Sequence, residues 1–205
     1  MKRRLLLLGI ALGFGLGSLS AADVPRNAPE LAVQLGGGRQ LLLSQYRGKV
    51  VLLEFLHTTC PHCQQSSGLV QQLSKEFGPR GFQPVGVAFN DNAPALVPEF
   101  VRQLGLTFPV GSAPRDTVMQ YLQHPMMKPL YVPQMILVDR KGVIREQHGG
   151  EDDYLKNLEP NLRASLLTLL NEPAPAQRSH RRSTPKAPGA AKKTAATAAA
   201  PQSLR

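Results

Sequence analysis

The chain contains two cysteines, and they stand together in Cys60-Pro61-His62-Cys63. Two thiols separated by two residues can close into a disulfide and exchange it with another dithiol. The attacking species is a thiolate. The motif predicts Cys60 at the first turn of a helix, where free N–H groups and the helix dipole favour a thiolate. Cys63 then follows one turn later and resolves the mixed disulfide formed by Cys60. Pro61 suits the first helical position, since its missing N–H would be unbonded there anyway. His62 brings a positive charge or a hydrogen-bond donor close to the Cys60 sulfur, which favours the reduced form and makes the disulfide more oxidising. Other uses of the motif fit less well. A structural disulfide over so short a loop adds little chain-entropy stabilisation. A haem attachment site needs His directly after the second cysteine, where Gln64 stands. A metal site needs more ligands than two thiols and a nearby His. The dithiol carries its own electrons, and neither cofactor nor metal is expected.

The elements that must position this motif are readable on both sides of it. Val50-Val-Leu-Leu-Glu-Phe-Leu56 is a short apolar run, β-branched at its start, and predicts a buried central strand leading directly to Cys60. Leu69, Val70, Leu73 and Phe77 recur at helical spacing after Pro61, and Gly78-Pro79 ends that run. Upstream, residues 31–35 and 40–43 read as two strands across the Gly36–Gly38 turn, an N-terminal β-hairpin. Downstream, Gln83 to Phe89 reads as a strand, and Leu96, Val97, Phe100, Val101 and Leu104 as a helix stripe. An extended piece over 107–110 and a short helix over 116–122 follow. Residues 135–138 and 143–147 form a hairpin, with Gly142 at the left-handed position of the turn. Glu151, Asp152 and Asp153 open a last helix, their charge suiting the N-terminal dipole. Leu155, Leu158, Leu162, Leu166 and Leu169 carry its stripe, and Pro160 predicts a kink or a division into two pieces. Strands alternating with helices, followed by a hairpin, predict an α/β fold: a central mixed β-sheet flanked by helices.

Charge divides the 205 residues into three parts. The formal charge of +10 comes from 24 Lys and Arg against 14 Asp and Glu. Lys2, Arg3 and Arg4 contribute at one end. Arg178, Arg181, Arg182, Lys186, Lys192, Lys193 and Arg205 contribute at the other. The stretch between is neutral, which argues against nucleic-acid binding. Residues 1–22 have the parts of a secretory signal: a basic start, an apolar stretch and small residues at Ser20-Ala21-Ala22. An uncleaved membrane anchor is the alternative, although the 18 uncharged residues from Leu5 to Ala22 are short for a span and contain four glycines. Either reading places the domain of residues 23–172 outside the cytoplasm, in the periplasm or on the outer face of the inner membrane. Residues 173–205 are rich in Pro, Ala and basic residues, with almost nothing large and apolar, and predict a disordered tail. It reads as a solvated segment, with a tether to an anionic membrane or cell-wall polymer as the alternative.

The segment from Val50 to Cys63 resembles the active-site strand and helix of the thioredoxin superfamily, and its surroundings are similar to the TlpA-like, redoxin-type extracytoplasmic branch. Gln40 to Lys49 matches the lead-in to the first central strand, Leu106 to Val110 a mid-domain extended segment, and Tyr131 to Ile144 the loop and hairpin facing the dithiol. The likeness covers about residues 28–170. It implies a thioredoxin-like fold and a thiol–disulfide oxidoreductase acting on protein thiols and disulfides. By this resemblance Cys60 attacks and Cys63 resolves. Pro133 takes the place of a cis-proline that exposes the Val132 backbone to an extended substrate. Glu54 takes the place of a buried acid that accepts the Cys63 proton during resolution. His57 has no matched role.

The chain departs from the pattern in two ways. Thr59 replaces the tryptophan that usually precedes the first cysteine, and the chain has no Trp. Cys-Pro-His-Cys is like the core of DsbA, an oxidase, yet the 69 residues between Cys63 and Pro133 leave no room for that family's helical insertion. Dipeptide and frame therefore imply opposite redox directions, the reductive one needing electrons from a membrane partner. Two other functions suit the same frame. A thiol peroxidase requires a threonine three residues before its cysteine, where His57 stands. A copper-delivery module requires three residues between its cysteines and a distal His, for which His124 and His148 are candidates.

Overall fold

The computed structural model describes residues 23–125 and 127–174. The expectations for residues 1–22 and for the tail from 175 onward lie outside the described residues. In chain order the strands are β1 (Arg26–Asn27), β2 (Ala32–Leu35), β3 (Arg39–Leu42), β4 (Val50–Leu56), β5 (Phe82–Ala88), β6 (Val110–Ser112), β7 (Gln134–Val138) and β8 (Val143–His148). The α-helices are α1 (Pro61–Phe77), α2 (Ala93–Leu104), α3 (Arg115–Leu122), α4 (Asp153–Lys156) and α5 (Leu158–Asn171). All eight strands form one mixed sheet in the order β1-β8-β7-β4-β5-β6-β2-β3. β4 is central, parallel to β5 and antiparallel to β7.

Because side chains alternate along a strand, β4 supplies two cores. Val50, Leu52 and Leu56 face the helical layer, packing with Val70, Leu73 and Phe77 of α1, Phe100 of α2, and Leu162 and Leu166 of α5. Val51, Leu53 and Phe55 face the opposite side, against Leu31, Val33 and Leu41 of the N-terminal hairpin and Val118, Tyr121 and Leu122 of α3. Every residue of β4 is buried, which explains why it reads as a continuous apolar run. By this alternation Glu54 enters the helical layer, the only charged side chain on the strand.

Two glycines meet backbone demands. Gly142 has φ +83° in the turn between β7 and β8, as its sequence position predicts. Gly111 lies where β2 crosses β6, and a Cβ there would come within 2.4 Å of the Gln34 carbonyl oxygen. Arg140 ties the sheet to the end of the last helix, donating to the carbonyls of Leu170 and Glu172 that α5 leaves unbonded.

Two local readings are corrected, and one strand is new. The extended segment expected over 107–110 pairs with the sheet only from Val110 to Ser112. β1, a two-residue strand on the edge of β8, has no apolar alternation to announce it. The final helix does divide, but at Asn157 and not at Pro160. Pro160 is third in α5, within the first turn, where a helix makes no use of the missing N–H.

Candidate active site

β4 delivers the chain to the dithiol. After Leu56 the backbone turns through His57, Thr58 and Thr59, and the Cys60 N–H donates to the His57 carbonyl at 3.1 Å. Cys60 is the N-cap of α1 with extended backbone, and Pro61 is the first helical residue. The Cys60 carbonyl already accepts from Gln64 N at 3.0 Å, closing the first helical bond. Cys60 is partly exposed, whereas Cys63 is completely buried in the helical core. Both are free thiols. Burial pushes the Cys63 thiol far up, opposed by the His57 backbone and reinforced by its hydrogen bond to Cys60 and by Glu54. Its deprotonation therefore requires a base at hand.

Glu54 lies in the same buried layer, close enough for its charge to raise the Cys63 thiol. It is fully buried, and its two oxygens accept from Ser66 Oγ at 2.5 Å and Ser67 Oγ at 2.9 Å. Ser66 Oγ also lies 3.0 Å from the Cys63 carbonyl, joining the carboxylate to the turn that holds the thiol. Desolvation raises the Glu54 pKa to about 7, and the two serine hydrogen bonds act in the opposite direction. A carboxyl poised near neutrality can both take and return a proton. Ser66 and Ser67 were not singled out from sequence. Their spacing of three and four residues from Cys63, on the same face of α1, was the available signal.

The remaining motif residues surround the opening. Pro61 and His62 are exposed at the start of α1. The Val132–Pro133 peptide bond is cis, and Val132 touches both cores. His62, Ser66, Leu69, Val132, Pro133 and Leu155 line one cavity of about 470 Å³ beside the dithiol. Gln134 holds the loop in front of β7 by donating to the Tyr131 carbonyl at 2.6 Å. On the far side, Asn90 locks the turn before Cys60, accepting from Thr58 N at 3.0 Å and donating to Thr58 Oγ1 at 3.1 Å.

Of the other described histidines, His57 meets the dithiol turn through its backbone carbonyl. His57 packs edge-on against Phe89, with ring centres 4.5 Å apart, and its buried Nε2 has no partner among the described residues. Burial lowers its pKa, helped by Arg115 and opposed by Asp91. His124 lines a neighbouring cavity, and His148 is held by Glu146 and Asp152. Among the described residues no group of three or more His, Cys, Asp or Glu is arranged to hold a metal ion. No helix among them is long and apolar enough to cross a membrane.

Comparison with known proteins agrees with this arrangement. The AhpC/TSA family matches residues 24–147. The thiol-disulfide oxidoreductase ResA of Geobacillus thermodenitrificans is 30% identical over 165 residues, covering 76% of this chain and 90% of the relative. ResA of Bacillus thuringiensis is 29% identical over 167 residues, covering 76% and 93%. Among solved structures, a Chlorobium tepidum chain described as a thiol:disulfide interchange protein DsbE superposes with a TM-score of 0.58 at 27% identity, over 70% of this chain and 98% of that one. A Bacteroides thetaiotaomicron chain described as a protein disulfide isomerase shares the fold with a TM-score of 0.60 at 22% identity, over 73% and 91%. With its dithiol at the junction of a central strand and a helix, the chain belongs to the AhpC/TSA family and is a thioredoxin-fold thiol–disulfide oxidoreductase.

Proposed function

We propose that the chain exchanges disulfides with the cysteines of exported proteins, using Cys60 as the attacking thiol and Cys63 as the resolving one. The observation that carries this reading is the contrast in burial, with Cys60 reachable at the helix start and Cys63 enclosed beneath it. The Cys60 thiolate attacks one sulfur of a client disulfide, forming a mixed disulfide and releasing the other client sulfur as a thiolate. The Glu54 carboxylate takes the Cys63 proton, and the Cys63 sulfur attacks Cys60. The second client thiol leaves and the Cys60–Cys63 disulfide closes, so two electrons have passed to the client. The reverse sequence donates the disulfide instead. Pro61 and His62 tune the balance between the two directions, and Val132 with Pro133 presents backbone to the client strand.

The basic, apolar start of the chain supports export, and the reductive direction requires electrons from a membrane partner. Replacing the resolving thiol tests the assignment. Cys63→Ser should accumulate client mixed disulfides on Cys60, visible as reducible adducts in non-reducing gels and mass spectra, whereas Cys60→Ser should form none. Equal adducts with both variants, or none with either, would overturn it.

A further inference from the structure

The segment following β8 forms a wall of the opening beside the dithiol. Gly150, Glu151 and Asp152 border the cavity next to His62 and Pro133, and also a second cavity of about 400 Å³ lined by His124, Lys128 and Tyr131. Val132 and Pro133 line the first cavity and Tyr131 the second, so an extended client crossing this loop would meet the wall. The wall also supports the loop. A Cβ on Gly150 would come within 2.7 Å of the Tyr131 backbone, and one on Gly149 within 3.0 Å of Gln134 Nε2.

The His148 side chain ties the segment back to the end of β8. His148 Nδ1 lies 2.9 Å from Asp152 Oδ2, and its Nε2 lies 3.2 Å from Glu146 Oε2. The ring stacks on Tyr154 at 3.6 Å between centres, with planes 7° apart. Both ring nitrogens face carboxylate oxygens. A neutral imidazole donates from one nitrogen only, so this geometry is satisfied in full by the imidazolium alone.

We propose that His148 is a positioning residue for client capture: its imidazolium, clamped between Glu146 and Asp152, fixes the Gly149–Asp152 wall of the cleft beside the dithiol. This rests on the thiol–disulfide exchange reading. The groups facing His148 are Glu146 on its own strand, Asp152 and Tyr154 from the following segment, and Met135 opposite it on β7. Ser165 of α5 reaches the same network, donating to Glu146 at 2.7 Å and accepting from Tyr154 at 3.1 Å. Burial lowers the His148 pKa, but the two carboxylates outweigh it, and the net direction is upward from 6.5. Loss of the proton turns one donating nitrogen into an acceptor facing a carboxylate. The wall is then released from one end, and the Tyr131–Gln134 loop loses its backing.

The test is the pH profile of exchange between the full-length protein and a short peptide carrying one intrachain disulfide. In the wild type, KM should rise about tenfold as His148 deprotonates, the size of one lost charge-assisted hydrogen bond. The same midpoint should appear in the NMR titration of the His148 ring. In His148→Gln, KM should be raised throughout and flat across that range. Asp152→Asn keeps a side chain able to cap α4 while removing one partner charge, and should behave likewise. Glu54 titrates nearby, but it acts after capture and is read in kcat. A wild-type KM that is flat with pH, or variants that keep its slope, would overturn the proposal. Exchange with glutathione disulfide separates the two levels: its absence at every pH would remove the exchange reading itself.

Discussion

Replacing Glu54 by glutamine should change the pH dependence of stability in a calculable way. The carboxyl is fully buried, and its pKa stands at about 7 against an ordinary value of 4.5. Between those limits the folded protein holds a proton that the unfolded chain has released. Stability from this group is therefore complete below 4.5 and is lost as pH rises through 7. At about 1.4 kcal/mol for each pH unit, the difference amounts to about 3 kcal/mol. Glutamine is nearly isosteric, can still accept from Ser66 or Ser67, and carries no charge to desolvate. The reduced Glu54→Gln protein should therefore be close to the wild type at pH 4.5 and about 3 kcal/mol more stable relative to it at pH 8.5. Urea denaturation of both proteins across this range measures the difference directly. Parallel stability profiles would refute the reasoning, since they would mean that Glu54 releases its proton at the same pH folded and unfolded.

Two further outcomes follow from the geometry. Asn90→Ala removes the side chain that accepts from Thr58 N. It should cost about 1–3 kcal/mol for the orphaned group, read by urea denaturation, and should slow exchange by loosening the turn before Cys60. Mass spectrometry after brief iodoacetamide treatment of the reduced protein near pH 7 should find the label on Cys60 and not on Cys63, whose thiol is buried and pushed up.

The fold and the dithiol were readable because their determinants are local. The apolar run of β4, the proline after Cys60 and the stripe of α1 each depend on neighbours within a few residues. Glu54 could be assigned to a face from its place in the strand. Its partners could not, because Ser66 and Ser67 have meaning only once α1 lies across β4. The break at Asn157 was misplaced to Pro160 because proline disturbs a helix interior but not a first turn. β1 was missed since two residues on a sheet edge carry no periodicity. The clamp on His148 joins β8, α4 and α5 through residues spread from Glu146 to Ser165, and sequence spacing does not reveal which carboxylates a histidine will meet.

The central claim is that Cys60 and Cys63 form one two-electron couple. The direct measurement is equilibration of the full-length protein against glutathione buffers of graded potential, with both thiols counted by mass spectrometry after quenching. The account predicts that the two thiols disappear together in a single reversible two-electron transition. A midpoint near −120 mV would mark an oxidase and one near −270 mV a reductase, on the scale of about 30 mV for each tenfold change in equilibrium constant. Stable glutathione adducts on Cys60 with Cys63 left reduced, or no reversible transition at all, would contradict it.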